Sequence, residues 1–216
     1  MAYRLPNGST FDVAASYSAD IAVTISNGNP AVVSASGHGL SDGDVILYTG
    51  GWTRITNRAF RVKEVSADSF ELEGGNTTDE TRFPLGGGVG TVKPVATWMQ
   101  IPQILTVDSA GGEQQFYNFQ FLEDDDERQL PTNKSASSLT LNVADDPDQP
   151  YVGLMEEYDE LKETHVFRLN LINKDTILYP AVPSITATPT LTVNSLMERV
   201  ITLAMQGRIS RYSANE

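Results

Sequence analysis

The chain of 216 residues has no cysteine. Disulfides, thiol nucleophiles and cysteine-ligated zinc are excluded, and the lack suits any redox compartment. Histidine is nearly missing too. His38 stands between glycines and His165 opens an alternating stretch; neither has a second ligand at metal spacing, so both read as structural or exposed. Positive charge is scarce: 15 Lys and Arg oppose 28 Asp and Glu, for a net charge of −13. Such a surface repels phosphate backbones and anionic membranes, which argues against ordinary nucleic-acid binding. No run approaches the roughly 20 apolar residues that span a bilayer. The first residues, Met1–Gly8, lack the apolar segment of a signal peptide. The expectation is a protein made in the cytoplasm that stays soluble or assembles there, with no membrane partner. The glycosylation-like triplets at Asn7, Asn76 and Asn133 are then chance matches.

Catalytic motifs are also lacking. No serine sits in a nucleophile elbow and no Ser–His–acid set is suggested. Gly86-Gly87-Gly88-Val89-Gly90 has no following helix and no suitably placed lysine, so it reads as a hairpin turn rather than a phosphate loop. Two acidic runs could hold a hard cation. Glu123–Glu127 reads instead as a solvated or interface loop, because consecutive carboxylates do not converge on one ion. Asp145-Asp146-Pro147-Asp148 reads as the approach to a helix, offering caps and favourable charge at its N-terminus. No enzyme activity, cofactor or metal is implied.

What the chain has is alternation. Hydrophobic residues make up 40% of it, enough for one large all-β domain or one domain with a small insert. In the stretch Gln115–Val143, Tyr117, Phe119 and Phe121 fall on one side, with Asn118 and Gln120 on the other. Leu139, Leu141 and Val143 likewise alternate with Thr140 and Asn142. Each pattern predicts a strand with one buried and one wet face. Between them a long charged loop runs from Leu122 to Ser135. Loops of that length inside compact domains are functional or disordered, and this one is expected to order against a neighbouring copy.

Ile21, Val23 and Ile25 alternate after an N-terminal arm, ending in the turn Asn27-Gly28-Asn29-Pro30. Residues 31–95 carry short strand-like runs every ten or so residues, split by glycine turns. They predict a small barrel or sandwich with Phe60, Val62, Val65, Phe70 and Leu72 as core. A longer strand follows over Thr97–Val107, interrupted by Pro102. Tyr151, Leu154, Met155, Tyr158 and Leu161 recur at helical spacing. Beyond them Phe167, Leu169 and Leu171 alternate with Arg168 and Asn170. A proline-broken strand covers Thr176–Ala187, and a last strand lies within Leu196–Gln206. Arg208–Glu216 reads as a polar tail.

The order of these elements resembles tail tube proteins of long non-contractile-tailed bacteriophages. The resemblance rests on Tyr117-Asn118-Phe119-Gln120-Phe121 running into the acidic loop, then Ser138–Val143, Ala144-Asp145-Asp146-Pro147 and a single helix. Phe121-Leu122-Glu123-Asp124-Asp125-Asp126-Glu127-Arg128-Gln129 is its most specific run. It covers residues 1–30 and 96–212. Residues 31–95 resemble a small barrel found as an insert in such proteins. A similar barrel stands beside the catalytic cysteine of ubiquitin-activating enzymes, and without a cysteine no such chemistry carries over. The resemblance implies a mainly β fold, a tail-tube-type sandwich or partly closed barrel with one flanking helix, over 1–30 and 96–216. It implies stacked hexameric rings, with tape measure, tail terminator and tail tip proteins as partners and DNA passing without specific binding.

Glu123, Asp124, Asp125, Asp126, Glu127, Arg128, Gln129, Asn133 and Lys134 are then the expected inter-subunit loop. Asn118, Gln120, Thr140, Asn142, Arg168 and Asn170 are the candidate lumen or interface face. Two other readings stand beside this one: a tail-terminator or tail-tip ring of the same fold, and a carbohydrate-binding β module.

Overall fold

The computed structural model describes residues 7–214. Alternation becomes strand almost throughout. In chain order these are β1 (Thr10–Tyr17), β2 (Ile21–Ile25), β3 (Ala31–Ser34), β4 (Val45–Gly50), β5 (Arg58–Lys63), β6 (Ser69–Leu72), β7 (Val89–Ile101), β8 (Ile104–Gly111), β9 (Gln114–Phe119), β10 (Arg128–Lys134) and β11 (Ser137–Ala144). The helix α1 (Pro150–Leu161) follows, then β12 (His165–Asn170), β13 (Thr176–Ile185), β14 (Glu198–Met205) and β15 (Ser210–Tyr212). The fold is mainly β with one flanking helix, as the patterns predict. Residues 1–6 of the expected arm and 215–216 of the expected tail lie outside the described residues.

Six strands pair in the order β2-β3-β6-β5-β4-β7, and β2 pairs again with β7, closing a barrel. Closure leaves no open sheet edge. Phe60, Val62, Phe70 and Leu72 fill it as expected, joined by Tyr48 and Trp52. Trp52 anchors the glycine-rich turn: its Nε1 donates to the Pro84 carbonyl at 2.9 Å, and its ring meets Phe83 edge-on. Gly90 is required where β7 crosses β4, since a Cβ there would lie 2.5 Å from the Thr49 carbonyl oxygen. The barrel begins earlier than the glycine-turn texture suggests. β2, grouped from sequence with the arm, registers against β3 and β7, and Val23 and Ile25 enter this core.

The larger sheet runs β7-β1-β12-β13-β14-β11-β8. Only Pro102 and Gln103 separate β7 from β8, so the first and last strands of this path meet at one corner and the sheet curls round its core. The single strand expected over Thr97–Val107 is therefore two, turned by Pro102 and by a left-handed Gln103 (φ 59°). Phe11, Val13, Leu139, Leu141, Phe167 and Leu203 line the interior, and α1 covers it with Tyr151, Val152, Met155 and Tyr158. Burying each large side chain contributes about 1.5–3 kcal/mol. Leu161, expected on the apolar stripe, is exposed at the helix end. Pro150 opens α1, as its fixed φ allows. The expected aspartate cap is not used: Gln149 is the N-cap and its side chain makes no capping bond to the helix. Asp146 instead accepts from Gln149 Nε2 at 2.8 Å and Gln103 Nε2 at 3.2 Å, tying the corner to the helix approach. These bonds hold its carboxyl below the usual range.

The barrel and the curled sheet meet over a third apolar cluster that includes Ala14, Val45, Leu47, Ala59, Val166, Leu178 and Tyr212. Tyr212 belongs to the expected polar tail, which in fact forms β15 against Thr176–Leu178 of β13. The Arg61 amide donates to the Tyr212 hydroxyl at 3.1 Å, and the Arg61 guanidinium lies 4.8 Å from the ring centroid. Ser210 donates to the Ala59 carbonyl at 3.0 Å. A three-residue strand thus staples the barrel to the sheet.

Candidate assembly surface

After β8 the chain leaves its own body. Gly111 and Gly112 both take positive φ (77° and 78°), and a Cβ on Gly111 would lie 1.9 Å from the Ala136 carbonyl oxygen. Only glycine permits this close turn. β9 and β10 then pair solely with each other, Tyr117 opposite Leu130 and Phe119 opposite Arg128. The long loop predicted from sequence is therefore half strand: Arg128–Lys134 forms β10, and only Gln120–Glu127 makes the tip.

The buried face expected for Tyr117, Phe119 and Phe121 does not exist. Tyr117 is 63% and Phe121 52% exposed, and Phe116, Leu122 and Leu130 are exposed beside them. Alternation predicts a strand lying on a core, but no second layer lies beneath this ribbon. Its aromatics pack along their own row, Tyr117 stacked on Phe119 and Phe119 edge-on to Phe121. Isolated two-stranded ribbons are marginal in water, and contiguous exposed apolar surface of this kind marks an interaction site.

The tip is shaped by its own bonds. The Asp124 amide donates to the Phe121 carbonyl at 3.0 Å, and Gln120 Nε2 donates to the Asp124 carbonyl at 2.7 Å. Arg128 pairs with the Asp124 carboxylate at 2.9 Å and lies over Phe121. Glu123, Asp125, Asp126 and Glu127 project outward, exposed, as do Gln129, Asn133 and Lys134 along β10.

The six candidate face residues fall in three places. Asn118 and Gln120 are on the ribbon, not in the sheet, because β9 pairs with nothing but β10. Thr140 and Asn142 stand together on β11, Thr140 opposite Asp108 and Thr202, with Asn142 Nδ2 donating to Thr106 Oγ1 at 2.7 Å. Arg168 and Asn170 lie on β12 and turn toward a residue that the periodicity did not single out. Asp12 of β1 accepts from Arg168 at 2.8 Å and from Asn170 at 2.7 Å, and the Arg168 guanidinium sits 4.0 Å over Trp98. That pair is a cross-strand tie, not a free surface. Its sequence signal is an aspartate placed among Phe11, Val13 and Ala14.

The larger sheet ends in an open edge. β8 ends the strand path, and Leu105 and Val107 are exposed along it. Its outer amides and carbonyls are a template for pairing with another chain. The open edge and the ribbon are adjacent in the chain, joined by Gly111–Glu113. Among the described residues no group of three or more acidic or histidine side chains is arranged to hold a metal ion.

No curated protein matches the chain. Three solved structures share part of its course. The tube-terminating cap of the anti-feeding prophage is 19% identical with a TM-score of 0.38, over 53% of this chain and 83% of that one. The sheath–tube complex of an extracellular contractile injection system in its extended state gives 18% and 0.39, again over 53% and 83%. The six-fold symmetrised anti-feeding prophage baseplate gives 10% and 0.40, over 84% and 99%. The sequence itself is more specific. The model of a family described as phage tail tube protein, TTP, matches residues 50–214, from the end of β4 past β15. With the curled sheet, single helix and outreaching ribbon, that match places the molecule: this chain belongs to the phage tail tube protein family, a family of structural proteins and not of enzymes.

Proposed function

We propose that this chain forms hexameric rings that stack into the tail tube of a long non-contractile-tailed phage, through which genomic DNA passes on ejection. The observation that carries the reading is the β9–β10 ribbon. It extends beyond its own core, exposes a row of aromatics and an acidic tip, and grows from the open β8 edge. Edge pairing joins copies sideways, and the ribbon reaches the next copy or the next ring. Contacts of this head-to-tail kind close rings or propagate as tubes. Glu123–Glu127, Arg128, Gln129, Asn133 and Lys134 are the contact residues on this reading. The barrel, with residues 31–95 closed by β2, stands as an outer module. Tape measure, terminator and tip proteins meet the ends of the tube, and the protein resides in the virion tail after assembly in the host cytoplasm.

The polar sheet face carrying Thr140 and Asn142 also presents Asp108 and Glu198 by register. As a lumen wall it offers phosphates repulsion instead of the cationic contacts that make binding tight. Electron microscopy of the purified chain tests the reading. Long tubes of uniform bore are expected, and none from a chain in which residues 114–134 are replaced by a short glycine turn. A chain that stays monomeric at every concentration, or that stops at single rings, overturns it.

A further inference from the structure

Basic side chains are few, yet four arginines line one cleft of about 270 Å³. Arg54 and Arg58 come from the turn before β5 and its first residue, Arg82 from the loop before β7, and Arg208 from the turn between β14 and β15. The cleft thus opens where the barrel meets the C-terminal staple. Asp79 is the one carboxylate in its lining, and it pairs with Arg82 at 3.0 Å. Arg58 Nε donates to Ser210 Oγ at 3.1 Å, and its guanidinium packs 4.6 Å from the Phe60 ring centroid. Arg54 and Arg208 are exposed and make no ion pair among the described residues. Burial and the neighbouring Arg208 charge draw the Arg58 guanidinium below its ordinary pKa. Like charges held this close favour an anion between them, and planar guanidinium groups suit carboxylates.

The strongest concentration of carboxylates in the chain is the ribbon tip. Asp124 is tied to Arg128, which leaves Glu123, Asp125, Asp126 and Glu127 without an ion pair among the described residues. No tip carboxylate pairs with a cleft arginine of its own chain. The geometry points to the arginine cleft as the receptor for the acidic ribbon tip of a second copy, with Asp125, Asp126 and Glu127 engaging Arg54 and Arg208. This assignment rests on the assembly reading above. It gives that contact a polarity: each copy offers one tip and one cleft, so the contact joins unlike surfaces and repeats from copy to copy.

Charge reversal in the full chain tests it. The pair Arg54→Glu with Arg208→Glu, and the pair Asp125→Lys with Asp126→Lys, each raise the critical concentration for tube formation about tenfold or more. The four changes together restore it to within about threefold of the unaltered chain. All four positions are exposed, so circular dichroism and the thermal midpoint stay unchanged. Because the chain has no cysteine, Thr78→Cys combined with Asp125→Cys gives a second readout: oxidised tubes yield a ladder of cross-linked copies on a denaturing gel, and dilute monomer does not. Tubes with unaltered critical concentrations and no ladder overturn the receptor assignment and leave the assembly reading standing. Loss on arginine reversal alone, with no rescue by the four-fold exchange, overturns it in favour of another anion in the cleft. A parent chain that never assembles overturns both.

Discussion

His165 and Tyr158 lie face to face, ring centroids 3.5 Å apart and planes within 8° of parallel. The stack joins the first residue of β12 to the inner face of α1, with Tyr17 of β1 at its side. Neither imidazole nitrogen has a hydrogen-bond partner. Burial, and after it the charge of Lys93 on β7, pushes the His165 pKa down to about 4. The unfolded chain, with an ordinary value of about 6.5, therefore takes up the proton first. The contribution is complete above about pH 6.5 and is lost as the pH falls toward 4, by about 3 kcal/mol. His165→Phe keeps a ring on Tyr158 and removes this part of the acid sensitivity. Denaturant midpoints for both chains between pH 7 and pH 4 check it: the two curves should draw apart as the parent weakens. Parallel curves would show that His165 is not the group responsible.

Asp12 is a buried acceptor shared by Arg168 and Asn170. Asp12→Ala strands a partly buried guanidinium and costs about 3 kcal/mol, because an unpaired buried charge is worse than no charge at all. Asp12→Asn keeps one acceptor oxygen and recovers part of the loss. Urea unfolding of the three chains gives the ranking, parent above Asp12→Asn above Asp12→Ala.

Tyr212 fills the seam between barrel and sheet from the last strand. Tyr212→Ala removes a buried ring and the acceptor of the Arg61 amide, at about 3–4 kcal/mol. The measurable sign is a lower thermal midpoint and faster proteolysis at the C-terminal end, where the parent is protected.

The ribbon behaves in the opposite way. Tyr117→Ser with Phe121→Ser removes exposed side chains, so the monomer's stability moves by less than about 0.5 kcal/mol. Tube formation, followed by sedimentation, is lost. A substitution that spares the fold and abolishes the polymer distinguishes an assembly surface from a core.

Sequence patterns identify the barrel strands from β3 onward because they are short apolar runs, most of them bounded by glycine turns. They identified α1 because Tyr151, Met155 and Tyr158 keep helical spacing over two turns. They misplaced the ribbon for a physical reason: alternation says that a strand has an apolar side, not that anything covers it. Tyr117 and Phe121 look like core residues in one dimension and stand in solvent in three. β15 escaped notice because Ser210-Arg211-Tyr212 is too short to show a period, and β10 because Pro131, Asn133 and Lys134 resemble loop residues. Asp12 lay within a run of core residues, where only its partners across the sheet reveal a role.

β7 is a single strand of 13 residues with two employments. Its first half hydrogen-bonds to β2 and β4 in the barrel, and its second half, from Val95 to Ile101, to β1 in the curled sheet. A pull on the barrel is therefore met as shear along a continuous ladder, with the β15 staple bracing the other side, and not as rotation about a tether. On the wall of the proposed tube, a barrel mounted this way would keep one azimuth and one height, and the exterior would carry a regular lattice of rigid studs.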